Sequence, residues 1–184
     1  MNRIVHPIRT LALVAALVLS LGALAACGGD DTQANGIDRY FAEQMIPHHQ
    51  GAVDMAEMAL ERAEHPELRE LAEQIITTQK AEIAQLQAAL DDELAGVEAQ
   101  SMGMSMEQMG MGMDHGMLRS AQQFDQAFID MMIPHHEGGV VMSDVELQRG
   151  ENPEMRGLAR QITAAQQREI AQMREWRTAW AQEG

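Results

Sequence analysis

Met45, His48, His49 and Met55 form the pattern Met-x-x-His-His-x5-Met, and Met132, His135, His136 and Met142 repeat it 87 positions later. Thioether and imidazole are soft to borderline donors. Together they suit Cu(I) or its heavier analogue Ag(I) better than iron, magnesium or calcium. Di-iron bundles place a glutamate three residues before the ligating histidine. Here that position is methionine in both copies, and no Glu-x-x-His occurs in the chain. The pattern therefore argues against a carboxylate-bridged oxidase, and no enzymatic turnover is expected. A plainer reading has the histidines buried and hydrogen-bonded by Gln79, Glu82, Gln166 and Glu169, with methionine as core filler. On the metal reading those same four side chains orient the imidazoles from behind.

Between the two copies lies a second concentration of donors. Met102, Met104, Met106, Met109, Met111, Met113 and Met117 are interleaved with glycine, and His115 follows Asp114. So much glycine fits no helical or strand stripe, so the segment is not expected to be core. It reads either as a low-complexity spacer or as a flexible thioether ligand strand. Thioethers bind without losing a proton, whereas histidine ligands must be neutral and weaken in acid.

These donors need a scaffold, and periodicity supplies one. Ile37, Phe41, Met45, His48, Ala52, Met55 and Ala59 recur at steps of four and three, the spacing of a helix with one buried face. The copy gives Phe124, Phe128, Met132, His135, Gly139 and Met142. Pro47 and Pro134 interrupt each stripe, and a helix kinked at the proline is expected because the register continues upstream. Second helices are expected from Pro66 and Pro153, with His65 and Asn152 as caps. Their stripes run Leu68, Leu71, Ile75, Ile83, Leu86, Leu90 and Met155, Leu158, Ile162, Ile170, Met173, Trp176, Trp180. Two duplicated hairpins make an all-α four-helix bundle with pseudo-twofold symmetry. The expected organisation is 1–26 leader, 27–36 flexible tether, 37–95 first hairpin, 96–120 Met-rich linker and 121–184 second hairpin.

The ends and the charge bound the setting. Arg3 and Arg9 precede an apolar run that closes on Leu24-Ala25-Ala26-Cys27, the form of a secretory leader. Its ending resembles a bacterial lipobox, which would leave a lipid on Cys27 and anchor the chain to a membrane at the periplasmic or extracellular face. The alternative is an uncleaved anchor, for which the run is short. A single cysteine excludes an internal disulfide and a cysteine zinc site. A net charge of -15 excludes nucleic acid as a partner.

The tandem Ile-Pro-His-His-x-Gly segments and the Gln-x-x-Glu-Ile-x-Gln strings of the second helices resemble domain-of-unknown-function family 305. The resemblance covers about residues 37–180. It implies a ferritin-like four-helix fold and kinship with exported copper-binding proteins of copper and silver tolerance. It also implies a metal site at His48, His49, Met55, His135, His136 and Met142. The expected function is an extracytoplasmic Cu(I)/Ag(I)-binding lipoprotein that sequesters or relays the ion, with a copper-donor or copper-acceptor protein as partner. The alternative is a partner-binding bundle with a Met-rich adaptable surface and no metal role. Oligomeric state and stoichiometry are not fixed by the sequence.

Overall fold

A computed structural model describes residues 34–180, and among these there is no strand. The leader, the lipobox and Cys27 lie outside the described residues. Four long helices and one short one follow in order: α1 Gly36–Arg62, α2 Pro66–Asp91, α3 His115–Ser120, α4 Phe124–Arg149 and α5 Pro153–Trp180. No helix among the described residues is long and apolar enough to cross a membrane. α1 packs on α2 and α4 on α5, and the two hairpins meet mainly along α1 and α4. The fold is the expected all-α bundle of duplicated hairpins.

The stripes are the reason. Ile37, Phe41, Met45, Ala52, Met55 and Ala59 are all buried on α1, as are Phe124, Phe128, Met132 and Met142 on α4. Each large apolar side chain so buried contributes about 1.5–3 kcal/mol. The helices run unbroken through Pro47 and Pro134. Each proline leaves one carbonyl four residues back without its helical N–H partner. Ile83, Leu90, Trp176 and Trp180 are only half-buried, because they lie near the edge of the stripes of α2 and α5.

Two local expectations change. The tether does not extend to residue 36. Asn35 caps α1, accepting from the Ile37 N–H at 2.8 Å, while Asp38 returns the bond to the Asn35 N–H at 2.6 Å. His65 stands at the cap position of α2 but makes no side-chain cap bond. Its Nδ1 lies 2.7 Å from Asp125 Oδ2 instead, and its ring stacks on Trp180 at 3.8 Å, with Trp176 stacked 5.2 Å beyond. Its counterpart Asn152 does cap α5, accepting from the Glu154 and Met155 N–H groups.

Asp125 also accepts from the Glu64 and His65 backbone N–H groups, at 3.0 and 2.8 Å. Asp38, its equivalent 87 positions earlier, accepts from the Glu151 and Asn152 N–H groups at 3.0 and 2.9 Å. Each hairpin thus clamps the interhelical loop of the other, and the pseudo-twofold relation holds at the level of single hydrogen bonds.

The linker is packed onto the bundle, contrary to the expectation of a flexible strand. Arg62 and Arg149, equivalent in the two repeats, hold its two ends. Arg62 donates to the Leu118, Arg119 and Ala121 carbonyls, and Arg149 to that of Met102. Met102 and Met109 are buried in the cluster that contains Ile37, Phe41, Met45 and Met142, with Met104 and Met111 against its edge. Glycine makes this burial possible without a stripe. A Cβ on Gly138 would collide with the Met109–Gly110 backbone, and one on Gly110 would come 2.7 Å from the His135 carbonyl. Gly110 also has φ +71, a left-handed conformation that favours glycine.

Candidate metal centre

The four motif histidines meet at the waist of the bundle, where α1 and α4 cross. His48, His49 and His136 are completely buried and His135 almost so. The His48 and His135 ring centroids are 3.9 Å apart. Small residues give the rings room. A methyl group at Gly139 would come 2.9 Å from His48 Cε1 and collide with Gln166, and one at Gly51 would come 3.2 Å from His135 Nε2.

Polar contacts distinguish the two nitrogens of three of the rings. His48 Nε2 lies 2.9 Å from the His135 carbonyl, which can only accept, so this nitrogen carries the proton. His136 Nε2 is 2.6 Å from Glu169 Oε2. His49 Nε2 is 2.8 Å from Glu82 Oε2, in a contact bent away from ideal hydrogen-bond geometry. In each of these three rings a carbonyl or carboxylate claims Nε2. Nδ1 is the nitrogen left without an oxygen contact, and all three Nδ1 atoms are buried without a hydrogen-bond partner. Ligating histidines are held in this way, with the far N–H on an oxygen acceptor and the near nitrogen free.

Burial, reinforced by the neighbouring His49, lowers the His48 pKa to about 3; the bond to the His135 carbonyl only partly offsets this. Burial and His48 hold His135 well below its ordinary value. Both rings are therefore neutral at ambient pH and have no proton to lose to an incoming cation. The expectation that acid weakens histidine ligation does not apply to them until far below pH 6.5.

The methionines divide differently from their sequence order. Met45 and Met142 share one apolar cluster, and Met55 and Met132 share the other. All four are fully buried. Because α1 and α4 run antiparallel, each thioether pair draws one member from each repeat, with the histidines between the two pairs. Gln166 meets His48 at Gly139, Gln79 is also buried, and neither carboxamide is fully satisfied: Gln79 Oε1 and both polar atoms of Gln166 lack partners. Among the described residues no group of three or more His, Cys, Asp or Glu side chains surrounds a common point. The motif imidazoles pair at this point, and the four methionines pack in the apolar clusters on either side.

Of the linker donors, His115 comes against the centre, its Cε1 3.4 Å from the point a Gly51 Cβ would occupy. Met109 sits against Gly138 through its backbone. Met104, Met111, Met113 and His115 are half-buried, and Met106 and Met117 are exposed, at 53% and 68%.

Sequence reasoning missed Ser143 and Glu146, which are fully buried on α4 where the first repeat carries Ala56 and Ala59. Burial, together with hydrogen bonding to and charge on Asp38, pushes the Glu146 carboxyl up to about 9. The departure of these two positions from their small apolar counterparts was the only available signal.

The sequence model of the Domain of unknown function family DUF305 matches residues 38–177. The chain belongs to this family. It is similar to solved DUF305-like structures over most of its length. CopM in the Cu(I)-bound form is 42% identical with a TM-score of 0.66, covering 78% of this chain and 96% of that one. CopM in an Ag-bound form is 40% identical with a TM-score of 0.67 over similar spans, 78% and 96%. A DUF305 fragment from Deinococcus radiodurans is 29% identical with a TM-score of 0.68, covering 79% of this chain and 98% of the fragment. Among curated proteins, the uncharacterized protein L153 of Acanthamoeba polyphaga mimivirus is 36% identical over 61 residues. That match spans 33% of this chain and only 40% of the viral protein.

Proposed function

We propose that this DUF305 protein binds Cu(I), and Ag(I) as its analogue, as cargo that it sequesters or hands on without chemical turnover. The likeness to CopM in its copper- and silver-bound forms supports a copper-related role. The observation that carries the finer reading is the donor set. Three buried imidazoles have Nε2 against an oxygen, hydrogen-bonded in His48 and His136 and in ion-pair contact in His49, and Nδ1 unpartnered, on the helices that bury Met45, Met55, Met132 and Met142. Neutral imidazole and thioether favour a soft monovalent ion. The exposed Met106 and Met117 would meet the ion first, and the waist would hold it. With the leader removed and Cys27 lipidated, the protein would do this at a membrane surface outside the cytoplasm, exchanging copper with a donor or acceptor protein.

The test is an anaerobic Cu(I) titration of residues 28–184 against a chromophoric chelator. It is paired with a variant in which the seven linker methionines are leucine. Leucine preserves the apolar volume of Met102 and Met109 while removing every linker thioether. Binding by both, with lower stoichiometry in the variant, is expected. Failure of the unaltered protein to compete with the chelator would overturn the copper reading.

A further inference from the structure

His135 breaks the symmetry of the centre. In the other three motif histidines an oxygen claims Nε2, as described above. For His135 the equivalent nitrogen points over Gly51, 3.2 Å from where a Cβ would stand. The ring of His115, carried in from the linker on α3, reaches the same point, its Cε1 at 3.4 Å and its Nε2 at 3.7 Å. His115 is half-buried and lies two residues from the most exposed methionine, Met117. The two motif glycines thus serve different ends. Gly138 is filled by linker backbone, whereas Gly51 is covered by two imidazole rings. Any side chain at position 51 would crowd the space that both rings approach.

The geometry points to a separate two-imidazole subsite for a soft monovalent cation, formed by His115 from the linker and His135 from the bundle above Gly51. It lies between the exposed linker and the buried waist. It rests on the copper reading and deepens it, because it joins the two groups of donors at one named pair. Soft monovalent ions accept so few ligands that two imidazole nitrogens suffice. His135 is buried, and His115 is near enough to solvent to receive the ion.

Ag(I) is the probe, since it does not change oxidation state. The unaltered chain, His115→Ala, His115→Met and Gly51→Ala are titrated against a competing chelator, and the ring nitrogens of His135 are followed by NMR. In His115→Ala one equivalent should weaken by at least tenfold and the His135 ring signals should no longer respond to that equivalent. His115→Met replaces one soft donor with another and should restore it. Gly51→Ala should weaken the same equivalent while His115 remains present. Thermal melting of each variant separates loss of the subsite from loss of the fold. If His115→Ala binds Ag(I) with unchanged stoichiometry and affinity, the subsite is overturned and the copper reading stands. If the unaltered chain takes up no Ag(I), both are overturned.

Discussion

His48 and His135 occupy the same position in the two repeats, yet His48 is anchored by the His135 backbone carbonyl, at 2.9 Å, and His135 does not return the bond. The duplicated centre is therefore not two equal half-sites. Differences between the repeats are to be sought in how each imidazole is held, since the motif side chains are identical.

Removing the carboxylate behind a ring tests that directly. Glu82→Gln and Glu169→Gln should each lower Cu(I) affinity by about 10–100-fold, the usual cost of losing such support. Glu169 is hydrogen-bonded to His136 at 2.6 Å, and the Glu82–His49 contact is bent. The Glu169 variant should therefore lose more. Chelator competition at fixed pH measures both.

The cross-hairpin clamps should carry stability. Asp125→Ala strips acceptors from the Glu64 and His65 N–H groups and from His65 Nδ1. Hydrogen bonds to a charged group are worth roughly 1.5–3 kcal/mol each and are not additive, so a loss of about 2–4 kcal/mol is expected. Asp38→Ala should cost at least as much, because it removes the acceptor of the Asn35, Glu151 and Asn152 N–H groups and also the partner of the protonated Glu146 carboxyl. Urea unfolding of the two variants side by side gives the comparison.

Glu146 supplies a pH dependence of known sign. Its folded pKa, about 9, lies above the ordinary 4.5. The folded state thus holds a proton that the unfolded chain releases. Its contribution is fully present below pH 4.5 and is lost as pH rises toward 9, at up to about 1.4 kcal/mol per unit. Glu146→Gln should flatten this decline and be the more stable protein at pH 8. Unfolding free energies at pH 5, 7 and 8.5 would expose a flat wild-type curve, which would sink the assignment.

Gly138→Ala places a methyl group against the Met109–Gly110 backbone, where no flexible side chain can yield. A cost of about 1–3 kcal/mol is expected. Faster proteolysis within residues 101–114 should accompany it. At Gly112 an added methyl meets chiefly the Glu107 side chain, 3.3 Å away at Cγ, so Gly112→Ala should leave the digestion pattern unchanged.

Peroxide should read the burial pattern of the linker. Met117 and Met106 should form sulfoxide first, and Met102 and Met109 last, since only the former two are exposed. Peptide mass mapping over time gives the order. Simultaneous oxidation of all seven would contradict the packed linker.

Much of the scaffold was legible because duplication prints the pattern twice. Two helical stripes agreeing at Met45/Met132 and His48/His135 leave little room for another fold, and they put the histidines in the core at once. The clamps were not legible. An acid such as Asp38 in the first turn of a helix ordinarily reads as a partner for the helix dipole, and nothing local shows that it reaches the opposite loop. The linker was misread for a related reason. Its burial depends on backbone meeting backbone at Gly138 and Gly110, and such contact has no periodicity. Which imidazole nitrogen is free likewise depends on Glu82, Glu169 and a carbonyl on the other hairpin.

The reciprocal aspartates carry one further consequence. Each hairpin brings both halves of the clamp, an acceptor in its first turn and a pair of loop donors. A surface that offers both is self-complementary, the kind that a subunit makes with its own copy across a twofold axis. The chain is thus organised as a dimer whose halves share one peptide backbone. That tie fixes the halves one to one and lets them diverge, so that Ala59 in one answers to Glu146 in the other, and a single strand of methionines serves both.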